Sequence, residues 1–260
     1  MTLPALFVAH GSPMLALEDH EYSRFLESLG RELPAPEAIV VFSAHWDSPE
    51  QSMTVDESHD TMHDFYGFPE AMYELRYPAK GSAAVTQRIA SLFEAGNLHY
   101  EPVLGRGLDH GAWVILSKMY PNADIPVIEL SVDSRRSPEE QYAIGAMLKE
   151  LRQDNVLIIG SGGLVHNLRL ISQTDEPEVW AVEFDEWIAR NLEIWNLKEL
   201  FNYDKKAPHA REAVPSYGTE HFAPLFYAMG AASDEAKAKR LIQTYQYGSL
   251  SLNCWMFGGS

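Results

Sequence analysis

The chain has 260 residues, 46% hydrophobic and 22% charged, enough apolar material for a sizeable core and nothing like a disordered composition. Its formal net charge of −17 argues against nucleic acid and anionic membrane surfaces as partners, because both repel an acidic protein. A lone cysteine, Cys254, excludes an internal disulfide and makes a reducing cytoplasm the expected compartment; no basic leader and no apolar run of roughly 20 residues suggests export or a membrane span.

In chain order, residues 3–9 read as a first strand and 21–31 as a helix with Tyr22, Phe25, Leu26 and Leu29 on one face. Pro34 and Pro36 punctuate the entry to a second strand, from Ile39 to His45. Residues 52–56 suit a short strand, and 59–69 an ordered loop whose aromatic content suits the wall of a pocket. The helical period of 82–95 closes at Gly96-Asn97, and 99–103 is a weak strand. A glycine-rich turn, 105–111, precedes a helix over 112–119 with Asp109 as its N-cap and His110 in its first turn. Residues 125–132 form a strand, Ser137-Pro138-Glu139-Glu140 opens a helix to about 153, and 155–160 is a central strand. A long helix over 178–196 presents Trp180, Phe184, Trp187, Ile188 and Ile194 on one face; 207–213 and 219–229 are helical, and 240–247 pairs antiparallel with 251–257 around Gly248. Strands alternating with helices imply an α/β fold: a three-layer α/β/α single domain over 1–260 with a mostly parallel central sheet and an antiparallel edge hairpin.

The histidines carry the chemistry. His10 and His45 each end an apolar strand, His166 follows a strand and a glycine-rich turn, and His221 stands at a helix start. One such histidine is ordinary, but four in matching positions point to a shared site, since strand ends host function in open α/β sheets and imidazole serves as both metal ligand and base. His20, His59, His99 and His209 lack this context and read as surface or loop residues. Phe65, Tyr66 and Phe68 of the aromatic loop, with Trp46 and Trp113, are candidates for a substrate wall, although each equally suits core packing, and His63 in the same loop is a further candidate to face the pocket. There is no P-loop, dinucleotide fingerprint or His-Glu-x-x-His motif. Gly160-Ser161-Gly162-Gly163, with no following lysine, reads as a sharp turn presenting His166 rather than a phosphate cradle, and neither Ser12 nor Ser43 sits in a nucleophile elbow.

Six ordered motifs, His10-Gly11-Ser12-Pro13, Ser43-Ala44-His45-Trp46, the stretch from His63 to Pro69, Asp109-His110-Gly111-Ala112-Trp113, Gly163-Leu164-Val165-His166-Asn167 and Glu220-His221-Phe222-Ala223-Pro224, resemble those of the class III, LigB-type extradiol ring-cleavage dioxygenases, and within them the 4,5-DOPA extradiol dioxygenase group. The resemblance implies cleavage of a catechol ring with insertion of both atoms of O2, L-DOPA giving 4,5-seco-DOPA, at non-haem Fe(II). It assigns His10, His45 and His221 as ligands, His166 as acid/base on or beside the metal, and His110 as a group bonded to the substrate or the reactive oxygen. Many relatives use a glutamate as third ligand, and here Glu220 and His221 are adjacent. Helix neighbours project about 100° apart, so only one faces the metal; the DOPA group resembles this sequence in having histidine there, and by that resemblance His221 is the expected one. With His166 added, four imidazoles would also suit Zn(II). A zinc-dependent hydrolase and a non-enzymatic interaction protein on the same fold are the rival readings, and the oligomeric state is left open.

Overall fold

The computed structural model describes residues 2–174 and 176–259. β-Branched and aromatic runs form the strands, which in chain order are β1 (Ala5–Ala9), β2 (Ala38–Asp47), β3 (Gln51–Thr54), β4 (Tyr100–Val103), β5 (Val127–Val132), β6 (Val156–Gly162), β7 (Ala238–Gln246) and β8 (Leu250–Phe257). They make one sheet in the order β4-β3-β5-β2-β6-β1-β8-β7. β5, β2, β6 and β1 run parallel at its centre, their near-continuous apolar sequences buried on both faces. The β7–β8 hairpin closes one edge antiparallel to β1, as the sequence pattern implies, and β3 also runs antiparallel to β5.

The helices are α1 (Glu21–Glu32), α2 (Glu70–Glu74), α3 (Ala83–Ala95), α4 (His110–Met119), α5 (Pro138–Met147), α6 (Val179–Glu193), α7 (Leu197–Leu200), α8 (Tyr203–Lys206), α9 (Ala210–Ala213) and α10 (Pro224–Ala231). One apolar layer gathers Ile39, Val41, Leu157 and Ile159 of the sheet with Leu26 of α1 and Trp113 of α4. The opposite layer gathers Val40, Phe42 and Ile158 with Phe184 of α6 and Phe226 of α10. The result is a single α/β domain covered on both faces. Among the described residues no helix is long and apolar enough to cross a membrane.

Two expected boundaries move. The helix opened by Ser137 ends at Met147 and continues only as a 3-10 turn over Lys149–Arg152. The helix expected from 219 starts at Pro224, where a residue without an N–H belongs at a first turn. His221 therefore sits in the turn ahead of α10 rather than on it, and the argument from helical projection does not apply.

α5 and α10 pack backbone against backbone: a Cβ added to Gly145 would lie 2.0 Å from the Tyr227 carbonyl oxygen, and one on Gly230 would lie 2.0 Å from that of Tyr142. Gly145→Ala should therefore destabilise the fold by about 1–3 kcal/mol through overpacking, read as a lower urea midpoint at unchanged slope.

Candidate metal centre and substrate pocket

Because β2, β6 and β1 are adjacent and parallel, their C-terminal ends emerge side by side. His10 directly follows β1, His45 lies near the end of β2, and His166 follows β6 by four residues. The turn before α10 brings in His221, held by a 2.8 Å hydrogen bond from the Gly163 N–H to the His221 carbonyl. A Cβ on Gly162 would lie 2.2 Å from that carbonyl, and one on Gly160 would lie 2.2 Å from the carbonyl of Pro224. The glycines thus admit a crossing backbone; none of Gly160, Gly162 or Gly163 has positive φ, which corrects their reading as a sharp turn.

The rings meet. His45 Nε2 lies 3.1 Å from His10 Nε2 and 3.4 Å from His221 Nε2. His166 stacks on His221 with ring centroids 3.6 Å apart, and the His110 ring lies 3.8 Å from that of His45. Ring nitrogens of His10, His45 and His110 fall within 4.8 Å of one another, as do those of His10, His166 and His221.

The outward nitrogens define the tautomers. The Ser161 hydroxyl donates to the Gly111 carbonyl, so it accepts from His10 Nδ1, 3.1 Å away. His221 Nδ1 donates to Glu220 Oε1 at 3.0 Å. Asp64 Oδ2 lies 3.0 Å from His110 Nδ1 and 3.5 Å from His45 Nδ1, while its Oδ1 accepts from the His110 backbone N–H at 2.9 Å. Ser161 and Glu220 keep the protons of His10 and His221 on Nδ1, so the Nε2 atoms of these two rings turn toward His45 Nε2 as bare acceptors. A proton on His45 Nε2 could serve only one of these two neighbours, at 3.1 or 3.4 Å, whereas a cation among the three nitrogens would serve them all. Two nitrogens bound to one ion at about 2.1 Å can be at most about 4.2 Å apart, and both separations fit. Glu220 bonds its neighbouring imidazole instead of entering the cluster, so the structure brings in His221.

Burial, reinforced by neighbouring imidazoles, pushes His10, His221 and His166 well below the ordinary imidazole range and His45 to about 4. Burial opposes the charge of Asp64, but its contacts to His110 and His45 win and hold its carboxyl down at about 2. At neutral pH His10, His45, His166 and His221 are therefore neutral, with an ionised Asp64 carboxylate beside His45.

Behind His45 and His110 lies a buried charged group. Asp109 caps α4 and accepts from Ser43 Oγ at 2.7 Å; Arg106 pairs with Asp109 at 3.0 Å and Glu129 at 2.8 Å. The Trp46 ring lies 4.2 Å beneath the Arg106 guanidinium.

A cavity of about 490 Å³ opens over the cluster, lined by His45, His110, His166, Phe65, Tyr66, Phe68, Leu168, Ile171, Tyr247 and Leu250, with Gly11, Ser12 and Pro13. Phe65 is where the sequence places it. His63 and Trp46 are corrections: neither lines the cavity, since His63 Nε2 bonds the Leu75 carbonyl at 3.1 Å and Trp46 carries Arg106. Trp113 is buried, its indole N–H on the Met62 carbonyl. His59, expected as a surface or loop residue, lies in a loop, buried, and bonds the Val127 carbonyl at 2.8 Å. Asp64, Ser161 and the rim residues Leu168, Ile171 and Tyr247 went unassigned from sequence; only Asp64 and Ser161 stood within motifs that flagged them.

Two outcomes follow for metal-free protein and for the supporting carboxylate. The folded chain resists protonating these imidazoles, so between the ordinary value of 6.5 and about 4 the unfolded chain binds more protons and stability falls as pH falls. EDTA-treated protein should therefore show a lower denaturant midpoint at pH 5 than at pH 7. Glu220→Ala should weaken divalent-metal affinity about 10–100-fold, measured by competition with a chelating dye, with the circular dichroism of the fold retained.

Residues 4–253 match the family described as the catalytic LigB subunit of aromatic ring-opening dioxygenase. The chain is 38% identical over 252 residues to a 4,5-DOPA dioxygenase extradiol of Escherichia coli K12, covering 96% of this chain and 93% of that one. It is 40% identical over 256 residues to the protein of the same name from Beta vulgaris, covering 96% and 95%. A crystal structure of an uncharacterized Escherichia coli K12 protein superposes with a TM-score of 0.82 at 34% identity, covering 98% of this chain and 100% of that one.

Proposed function

The chain belongs to the LigB family of aromatic ring-opening dioxygenases, and from that premise we propose that it cleaves a side-chain-bearing catechol in extradiol fashion at one ferrous ion held by His10, His45 and His221. The observation that carries this reading is the convergence of the His10 and His221 Nε2 atoms on that of His45, at 3.1 and 3.4 Å, beneath an open, mostly apolar cavity. L-DOPA cleaved to 4,5-seco-DOPA is the reaction that the relatives' names support. When bound, Fe(II) supplies Lewis acidity toward the catechol oxygens and electronic contact with O2. The same donors accept Zn(II), which has no redox chemistry to offer.

The chain's own part is proton handling and placement. His166 lines the cavity and burial keeps it neutral, so it accepts a proton from a catechol hydroxyl and returns it later in the cycle. His110 is fixed by Asp64 through both its backbone and its ring, which orients it toward the substrate oxygens. Phe65, whose ring meets His110 edge-on at 5.7 Å, places an apolar surface where an aromatic ring would lie and keeps water away. Ferrous iron and the buried free thiol of Cys254 suit a reducing cytoplasm. No observation favours the hydrolase or the scaffold.

Anaerobic loading with Fe(II), followed by L-DOPA and oxygen, should consume one O2 per catechol and give a yellow ring-opened product; absence of uptake with every catechol tried would overturn the reading. His166→Gln should lower kcat about 10²–10⁴-fold with substrate affinity changed only a few-fold, and an unchanged kcat would remove its role.

A further inference from the structure

Ten large hydrophobic side chains stand exposed among the described residues, and four of them, Tyr66 (92%), Leu168 (58%), Ile171 (40%) and Tyr247 (36%), line this one cavity. They come from three separate segments: the aromatic loop, the stretch after His166 and the turn between β7 and β8. Exposed apolar groups gathered from distant parts of a chain mark a surface that meets an apolar ligand. No lysine, arginine, aspartate or glutamate lines the cavity. Three charged groups close to the lining residues in sequence or space have partners of their own: Arg169 lies 4.1 Å over the Tyr217 ring, Asp64 faces His110 and His45, and Glu220 holds His221. At about 490 Å³ the space is larger than one catechol ring needs, and falls in the range of about 300–1,000 Å³ that holds drug-sized ligands.

From this we propose that the preferred substrate is a catechol bearing an uncharged, apolar substituent, which lies against Leu168, Ile171, Tyr247 and Phe68 while the diol faces the histidines. The inference rests on the dioxygenase reading and narrows its substrate. L-DOPA enters through its ring, but its ammonium and carboxylate meet a rim that offers no counter-charge and only the hydroxyls of Ser12, Tyr66 and Tyr247, so the loss of their water is incompletely compensated.

The test compares 4-methylcatechol, 4-propylcatechol, 3-(3,4-dihydroxyphenyl)propanoate and L-DOPA on the Fe(II)-loaded protein, by turnover and, without oxygen, by calorimetric binding. Each added methylene should raise kcat/KM and affinity by up to about fourfold. 4-Propylcatechol should exceed L-DOPA roughly tenfold or more in both measurements. Leu168→Arg should lower the ratio of 4-propylcatechol to the propanoate about tenfold, by placing a counter-charge at the rim. L-DOPA matching or exceeding 4-propylcatechol in both readouts would overturn the substrate inference and leave the dioxygenase reading standing. No cleavage of any catechol, with the binding order retained, would sink the dioxygenase reading and leave the apolar preference. Neither binding nor cleavage would remove both. A Leu168→Arg protein that changes from dimer to monomer in sedimentation, with its substrate ratio unmoved, would identify the rim as a contact between copies and overturn the proposal.

Discussion

Neutral imidazoles whose lone pairs converge are the constraint on which the rest of the structure depends. Such an arrangement repels itself, so each ring must be held from behind. Ser161 of β6 holds His10, Glu220 holds His221, and Asp64 reaches the backs of His45 and His110. These partners explain features that packing alone leaves arbitrary. A serine sits fully buried near the C-terminal end of β6, where its hydroxyl accepts from His10 and donates to the Gly111 carbonyl. Glycines interrupt β6 because the turn carrying His221 crosses it at backbone contact. The parallel sheet contributes direction: three neighbouring strands deliver their C-terminal ends to one line, and one turn ahead of α10 closes the set.

The buried group of Arg106, Asp109 and Glu129 extends the same logic one layer back. Burial and the neighbouring Asp109 push Glu129 well up; burial also opposes charge on Asp109, but Glu129, Arg106 and Ser43 hold it down. The two acids therefore present one negative charge to one guanidinium, which limits the desolvation cost of placing three ionisable groups together. In return Asp109 fixes the first turn of α4 by capping Ala112, and Arg106 Nη2 reaches the His45 carbonyl. His45 and His110 thus inherit their positions from a network that no substrate touches. Trp46, opposite His45 on the alternating strand, belongs to that network through its contact with Arg106.

Much of this was legible in sequence because it is local. Apolar runs and caps located the strands and main helices, and the chemical context of His10, His45, His166 and His221 marked the residues that meet. Context also separated His110, behind its Asp109 cap, from His20, which caps α1 instead. What escaped is tertiary. Nothing near His63 reveals that the Leu75 carbonyl takes its ring, and nothing near His59 reveals Val127. Aromatic residues in the same motifs went to different fates, Phe65 to the cavity and Trp113 to the core, because helix and loop orientation decide between them. That only one of Glu220 and His221 could face the metal rested on helical geometry that the turn does not have, whereas the choice of His221 came from the family resemblance; the two divide the task, one facing the cluster and one holding the other.

The site therefore has two parts built from different materials. Its floor stands on the ends of β1 and β2, on a capped helix and on the buried crossing of the segment after β6 with the turn ahead of α10, where packing determines side-chain position within tight limits. Its rim stands on the loop before α2, the irregular stretch after β6 and the turn between β7 and β8. These segments brace one another through few bonds: the Ser172 N–H donates to the Tyr247 carbonyl at 2.8 Å and the Glu178 N–H to that of Gly248 at 2.8 Å. Tyr247 itself holds a left-handed φ of 52°, a conformation that costs a bulky residue energy and fixes where its ring can go. A rim supported in this way changes its side chains without disturbing the imidazoles beneath it, because no rim side chain is a hydrogen-bond partner of the cluster. Reaction type is thus written in the sheet, and the choice among aromatic substrates is written in the loops above it.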